Sequence, residues 1–506
     1  MEIRNRILPL VVIATICLAT PALHSQNPTL APTASYPATL NHVIVADLHG
    51  DNAPEIIGLD NNSRSLVVLL NLGDGTYGPA NYYGVDDQPN GIAVADFNGD
   101  GLLDVAVALG SFNASGFVAV LLNGGHGMLN KPVYYKVPIP ANSITAADLD
   151  NDNRPDIAVV GNSSDNSVNT VTILTNTGSS FTQQSFPAPI YFTPNGFGPN
   201  GDYIENLVSG DFNGDGRIDL AYTDGCTQCS VSEEELFILA NTTTGWVPEN
   251  PTGGTGASSL KAADIDGDGL TDLVIPYRGC HTPCVGVEVL FMASDFSIAS
   301  SQALDVLNSQ DGPTPYQVVV GDFNNDGRAD IAGYTTGGSD QNLNTVGPGI
   351  MMWMGTGKRS FYGLHYYKQP YPSSTWAPPY TAAGFINKDG TRDLVVPRGN
   401  NAQVWTNTTV NPADPCSFPT VGGVHVCAPV ANVAGGNVQF LASARTNTQP
   451  FLRFELWIDG QKKIQIFTDR MNIKLPVPNG THQAAFVEVG ASGLHIAKTV
   501  TFKVGP

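Results

Sequence analysis

Seven stretches of this chain share one arrangement of oxygen-bearing side chains: ADLHGDNAPE from Ala46, ADFNGDGLLD from Ala95, ADLDNDNRPD from Ala147, GDFNGDGRID from Gly210, ADIDGDGLTD from Ala263, GDFNNDGRAD from Gly321 and GFINKDGTRD from Gly384. Numbered from the first acid, oxygens fall at positions 1, 3, 5 and 9, with Gly or Asn at position 6. A hard divalent cation such as Ca²⁺ takes about six to eight oxygen ligands, and a tight loop turns alternate side chains onto one point. Position 6 has to accept left-handed backbone, which Gly does freely and Asn tolerates. Position 7 would offer only its carbonyl, and its side chain varies accordingly from Ala53 and Leu102 to Arg154 and Thr391. The bland alternative is a set of acidic turns held by Asx hydrogen bonds.

An EF-hand would need a bidentate Glu at position 12 and flanking helices. Position 12 is Gly58, Val107, Val159, Tyr222, Ile275, Gly333 and Val396, and the loops lead into short Val- and Ile-rich runs such as DVAVAL and DLVVPRG. These predict strands.

The chain has 24 basic and 45 acidic residues, a formal charge of −21. Such a surface argues against nucleic acid or anionic membrane as partner. About half of the acids lie in the seven loops, and one Ca²⁺ in each would bring the net charge to −7. Met1 to about Ser25 has Arg4 and Arg6 ahead of an apolar run from Ile7 to Ala19, which predicts a secretory signal peptide. No other apolar run is long enough to span a bilayer, so a secreted or surface-attached chain is expected. Six cysteines then remain, Cys226, Cys229, Cys280, Cys284, Cys416 and Cys427, an even number that in an exported chain predicts disulfides. Pairing within each neighbouring couple is simplest; crossed pairing between the first two couples, or a zinc site from those four, is the alternative.

The loops recur every 49 to 63 residues. A second landmark follows most of them: NLGDGTY from Asn71, NGGHGML from Asn123, NTGSSF from Asn176, NTTTGW from Asn241 and MGTGKRSF from Met354. Each repeat reads as strand, acidic loop, strand, variable loop, strand, Gly turn, strand, which predicts an all-β fold, a seven-bladed β-propeller over residues 30–411. The segment near Thr33 to Thr39 is expected to complete the last blade and remove two exposed sheet edges. Residues 412–506 carry alternating runs such as LRFELWI and HQAAFVEV, with a hairpin turn at Asp459 and Gly460.

The DxNxDGxxD loop and the NxGDGTF turn together resemble the FG-GAP, or VCBS, repeat family, whose blades form integrin α-subunit heads and many exported bacterial proteins. The resemblance implies Ca²⁺ in the loops. Carried over by position, the ligands are Asp96, Asn98, Asp100 and Asp104; Asp148, Asp150, Asp152 and Asp156; Asp211, Asn213, Asp215 and Asp219; Asp264, Asp266, Asp268 and Asp272; Asp322, Asn324, Asp326 and Asp330. Two loops depart. The first has His49 at position 3, leaving Asp47, Asp51 and Glu55; the seventh has Phe385 at position 1, leaving Asn387, Asp389 and Asp393. The last segment looks like an Ig-like β-sandwich of bacterial type, commonly a spacer or adhesion module.

In a four-stranded blade the acidic loops and Gly turns share one face, and the long variable connections share the other. Aromatic residues concentrate in those connections, among them Tyr191, Phe192, Phe197, Tyr203, Tyr371, Trp376 and Tyr380. Loops on a rigid scaffold are where binding usually sits, and Trp376 is the first candidate for a sugar or peptide contact. No HExxH, GxSxG or strand-to-helix GxGxxG is present, so an enzyme is not expected. The sequence predicts a secreted Ca²⁺-binding propeller that binds an extracellular protein or glycan; a lectin is the alternative and a polysaccharide-degrading enzyme the third reading.

Overall fold

The computed structural model describes residues 27–505 except 52, 112–115, 164–168, 189–201, 227–235, 250–258, 279–284, 305–314, 327, 340–344, 358, 370–379, 388, 410–422, 430–431, 435, 446–450, 467–469 and 491–494. Among the described residues every regular element is a strand. No helix there is long and apolar enough to cross a membrane. The signal-peptide segment, Trp376, and Cys229, Cys280, Cys284 and Cys416 lie outside the described residues.

Seven four-stranded antiparallel sheets are formed among the described residues, one per acidic loop. Their first strands are His42–Ala46, Pro89–Ala95, Ala141–Ala147, Asp202–Gly210, Lys261–Ala263, Val318–Gly321 and Ala382–Gly384. We number the sheets 1 to 7 in that order. Sheet 7 takes only three strands from the C-terminal side of the chain. Its fourth is Leu30–Pro37, which runs antiparallel along Asn401–Asn407, as expected for the N-terminal segment.

The second strands read as continuous apolar runs rather than alternating ones because each sheet is covered on both faces. In Asp156–Asn162, Ile157 and Val159 join a core shared with sheet 2, while Ala158 and Val160 join a core shared with sheet 4. The same holds round the molecule: seven apolar clusters each span two consecutive sheets, and one of them packs Ile56 and Val67 of sheet 1 against Val395 and Val404 of sheet 7. Each first strand also contacts the first strand of the next sheet, and that of sheet 7 contacts that of sheet 1. Fourth strands such as Phe181–Pro187 are mostly exposed. The sheets thus form a β-propeller.

Residues 423–505 form a separate pair of sheets, of three and five strands. Phe440 and Met471 from the first meet Phe454, Phe486 and Phe502 from the second in one core. The hairpin turn at Asp459 and Gly460 is present, with φ of 51° and 77°, as a two-residue turn that follows the strand twist requires.

Candidate metal centres and the central cavity

All seven acidic loops close the same hairpin in the same register. The residue before position 1 pairs with position 9 in every sheet: Ala46 with Glu55, Ala95 with Asp104, Ala147 with Asp156, Gly210 with Asp219, Ala263 with Asp272, Gly321 with Asp330 and Gly384 with Asp393. That residue is small because the next sheet lies over it. A Cβ on Gly384 would come within 2.4 Å of Val45 in sheet 1.

Within the loop the side chains fold the backbone around themselves. Asp96 at position 1 accepts N–H bonds from Gly99 (2.7 Å) and Gly101 (2.7 Å). The position 3 oxygen accepts from the N–H of position 5, as Asn213 does from Asp215 at 3.0 Å. Position 5 accepts from position 7 in all seven loops. The Asx turns weighed as the bland alternative are therefore real. Left-handed backbone occurs at position 6, in Gly101, Asn153, Gly216, Gly269 and Gly390, and also at position 4, in Gly50, Gly99, Asn151, Gly214, Gly267 and Asn325. The requirement at position 4 was not read from the sequence.

Position 9 is the most buried acid of each loop. Asp104, Asp156, Asp272, Asp330, Asp393 and Glu55 are fully buried. Each of these aspartates accepts one N–H from the start of its own loop and one from the Gly turn, as Asp104 does from Phe97 (2.9 Å) and Asn123 (2.7 Å), whereas Glu55 takes both Leu48 and His49 on Oε2. Burial pushes the carboxyls of Asp104, Asp156, Asp219, Asp272 and Asp393 up to about 7 against the pull of those bonds. Burial and then neighbouring acids take Asp264 and Glu55 up to about 8.

Among the described residues, two loops bring three carboxylates together. Asp148, Asp150 and Asp156 of loop 3 offer oxygens within 4.8 Å of one another, as do Asp264, Asp266 and Asp268 of loop 5. An all-oxygen set suits a hard divalent cation rather than zinc, so the chemistry of the donors fits the cation expected there. Glu55 of loop 1 adds an orphan, since its Oε1 is buried without a hydrogen-bond partner.

The two departures differ in kind. In loop 7 the guanidinium of Arg392 lies 4.8 Å over the ring of Phe385, putting a positive charge where the first acid is missing. In loop 1, His49 at position 3 turns to His126 on the Gly turn of sheet 2, with ring nitrogens 3.3 Å apart. Loop 5 is complete, but Arg359 from the Gly turn of sheet 6 binds Asp266 and reaches Asp268 at 2.9 Å.

The recurring Asn of the Gly turn was visible as a landmark, but its task was not. Its side-chain N–H donates to the position 2 carbonyl of the preceding sheet: Asn123 to Leu48 (2.6 Å), Asn176 to Phe97 (2.8 Å), Asn241 to Leu149 (2.6 Å), Asn407 to Phe323 (2.7 Å) and Asn71 to Ile386 (2.9 Å). The last bond joins sheet 1 to sheet 7. Met292 and Gly355 stand at this place in sheets 5 and 6. There the N–H of Thr271 donates to the carbonyl of Asp211 at 2.8 Å, and Arg359 makes the link from sheet 6 to loop 5.

At the opposite ends of the first strands lies a cavity of about 510 Å³. It is lined from every sheet, by His42, Asn90, Asn142, Asn206, Lys261, Gln317 and Tyr380 in turn. Of the aromatics expected on this face, Tyr380 is therefore placed at the cavity, stacked on His42 with centroids 3.7 Å apart. Of the cysteines, Cys427 is disulfide-bonded.

Residues 47–107, 96–159 and 148–222 each match the family model of an FG-GAP-like repeat. Each match spans two consecutive acidic loops, so the repeat is established over the N-terminal part of the ring. No curated protein matches the chain. Among solved structures, the chain is similar to the extracellular domain of BT4673 from B. thetaiotaomicron, at 10% identity and a TM-score of 0.40, over 96% of this chain and 60% of that one. The chain thus spans about three fifths of that structure. The Dos1 propeller matches at 11% identity and TM-score 0.40, over 74% and 95% of the two chains. The exotype rhamnogalacturonan lyase YesX matches at 14% and 0.39, over 77% and 75%.

Proposed function

We propose that this chain is an exported, Ca²⁺-binding, seven-bladed β-propeller followed by an Ig-like β-sandwich, and that it binds an extracellular protein or glycan rather than catalysing a reaction. The observation that carries the reading is the division of the ring into two faces. One face holds the acidic loops, their backbones already folded and their carboxylates convergent in loop 3. The other holds the open cavity.

Ca²⁺ in the loops would be held by positions 1, 3, 5 and 9 and would lock hairpins that otherwise gather like charges. Its part is structural, and the binding residues lie elsewhere. Metal analysis of the purified chain should find several Ca²⁺ per molecule. Chelation should lower the melting temperature by several degrees, because a ligand held only by the folded state stabilises it. An unchanged melting curve in chelator would reject structural Ca²⁺.

The lectin reading is tested on the other face. Glycan-array binding lost in Trp376→Ala would favour it. A protein partner captured while every glycan fails would favour adhesion, and turnover of a polysaccharide would replace both readings.

A further inference from the structure

The central cavity has an unusual chemistry for so acidic a molecule. Net charge is −21, yet no described residue lining the cavity is a carboxylate, and one lining residue, Lys261, is a cation. Lys261 makes no ion pair or hydrogen bond among the described residues. Burial lowers its affinity for a proton. His42 is held neutral, pushed down to about 3 by burial and then by the charge of Lys261. The cavity thus offers a single ammonium with no carboxylate opposite it, and a partly buried unpaired charge favours an anion beside it.

Amide side chains share the cavity wall with that ammonium. Asn90 spends its side-chain N–H group on the carbonyls of Gly110 (3.0 Å) and Ala141 (2.8 Å), and Asn206 donates to Thr223 at 3.1 Å. With their donors engaged in the scaffold, both present an acceptor oxygen. An amide oxygen accepts and does not donate, so it suits an occupant that carries hydroxyls. The stacked ring pair of His42 and Tyr380 adds an apolar element to the wall, suited to the C–H face of a saturated ring.

From these features we infer that the cavity binds a polyhydroxylated carboxylate of one or two sugar rings, its carboxylate on Lys261 and its hydroxyls on the oxygens of Asn90 and Asn206. The volume, about 510 Å³, lies within the usual range for small-molecule sites. This rests on the reading of the molecule as a binding protein and names the class of ligand for the face away from the loops.

The test is titration calorimetry on the Ca²⁺-loaded mature chain with D-glucuronate, with a glucuronate-capped disaccharide, and with D-glucose and acetate as controls. Saturable binding of either uronate, at least tenfold tighter than both controls and weakened at least tenfold in Lys261→Met, supports the inference. The monosaccharide arm indicates a free sugar acid and the disaccharide arm alone a chain end. Should Lys261→Met fail to fold, protection of Lys261 from acetic anhydride by D-glucuronate, followed by mass spectrometry on the unaltered chain, gives the same answer. Failure of both uronates, equal binding of glucose, or indifference to Lys261 would overturn it. If the uronates fail while chelator still lowers the melting temperature, this inference falls and the Ca²⁺-propeller reading stands.

Discussion

At the scale of single residues, the acids of a loop do different work although the spacing makes them look alike. Position 9 is buried under two backbone donors and anchors the hairpin, whereas the position 3 and 5 acids of loop 5 are reached by a cation from outside the loop. Loop 5 already has one, the guanidinium of Arg359 on Asp266 and Asp268. An arginine from the neighbouring sheet and a bound metal ion compete for the same oxygens. We therefore expect Arg359→Gln to bind Ca²⁺ at loop 5 more tightly, raising the ions counted per chain by about one where the loop is otherwise unfilled. Its melting temperature in chelator should fall, since two carboxylates lose their counter-charge. Calorimetric titration of the variant beside the parent checks both; an unchanged affinity at every site would show that Arg359 does not contend with the metal.

At the scale of the element, each acidic hairpin is tied to its neighbour by one amide. Asn176→Ala removes donors from two buried carbonyls, those of Phe97 and Pro155, and should cost about 2–4 kcal/mol from the usual penalty for an unsatisfied buried group. Chemical denaturation reads it, and a loss below about 0.5 kcal/mol would mean that water replaces the amide. The hairpins also carry a pH signature. Folded-state carboxyls raised to about 7 in Asp104, Asp156, Asp219, Asp272 and Asp393 hold their protons more tightly than the unfolded chain does. Their contribution is thus fully present below about pH 4 and lost as pH rises through about 7. Metal-free protein should melt at progressively lower temperature from about pH 5 to pH 8 on this account, and saturating Ca²⁺, which favours the ionised form, should flatten that slope. A metal-free profile that rises over this range would contradict the assignment of these buried carboxyls.

At the scale of the whole molecule, stability depends on the ring being shut. Sheet 7 is assembled from both ends of the repeat region, with Leu30–Pro37 laid along Asn401–Asn407. Its core with sheet 6 includes Leu30 and Trp405. Deleting residues 30–37 would expose an edge strand and part of that core. The truncated chain should melt well below the parent and aggregate on heating, as followed by calorimetry and light scattering; an unchanged melting temperature would show that three strands suffice for the last sheet. The Asn71 bond to Ile386 and the close approach of Gly384 to Val45 lie at the same seam, so the closure is made by side chains as well as by backbone.

What the sequence by itself determined was everything set by local spacing. Alternate acids with Gly or Asn between them specify a tight oxygen-lined loop, because a backbone that turns left-handed can bring those side chains inward. Short Val-rich runs of fixed recurrence specify strands, and a repeat of this length specifies sheets that must cover one another. Only the tertiary structure decided what depends on contacts between neighbours. Arg359 sits 93 residues from Asp266 in the chain yet lies on its carboxylate, and the turn Asn residues find their acceptors on another sheet. The cavity is likewise built one side chain at a time from seven distant positions, and no local pattern marks Lys261 as the cation at its wall. Spacing along the chain fixes a loop; it takes closure of the ring to fix which loops have a neighbour's arginine for company and which face is left open to a ligand.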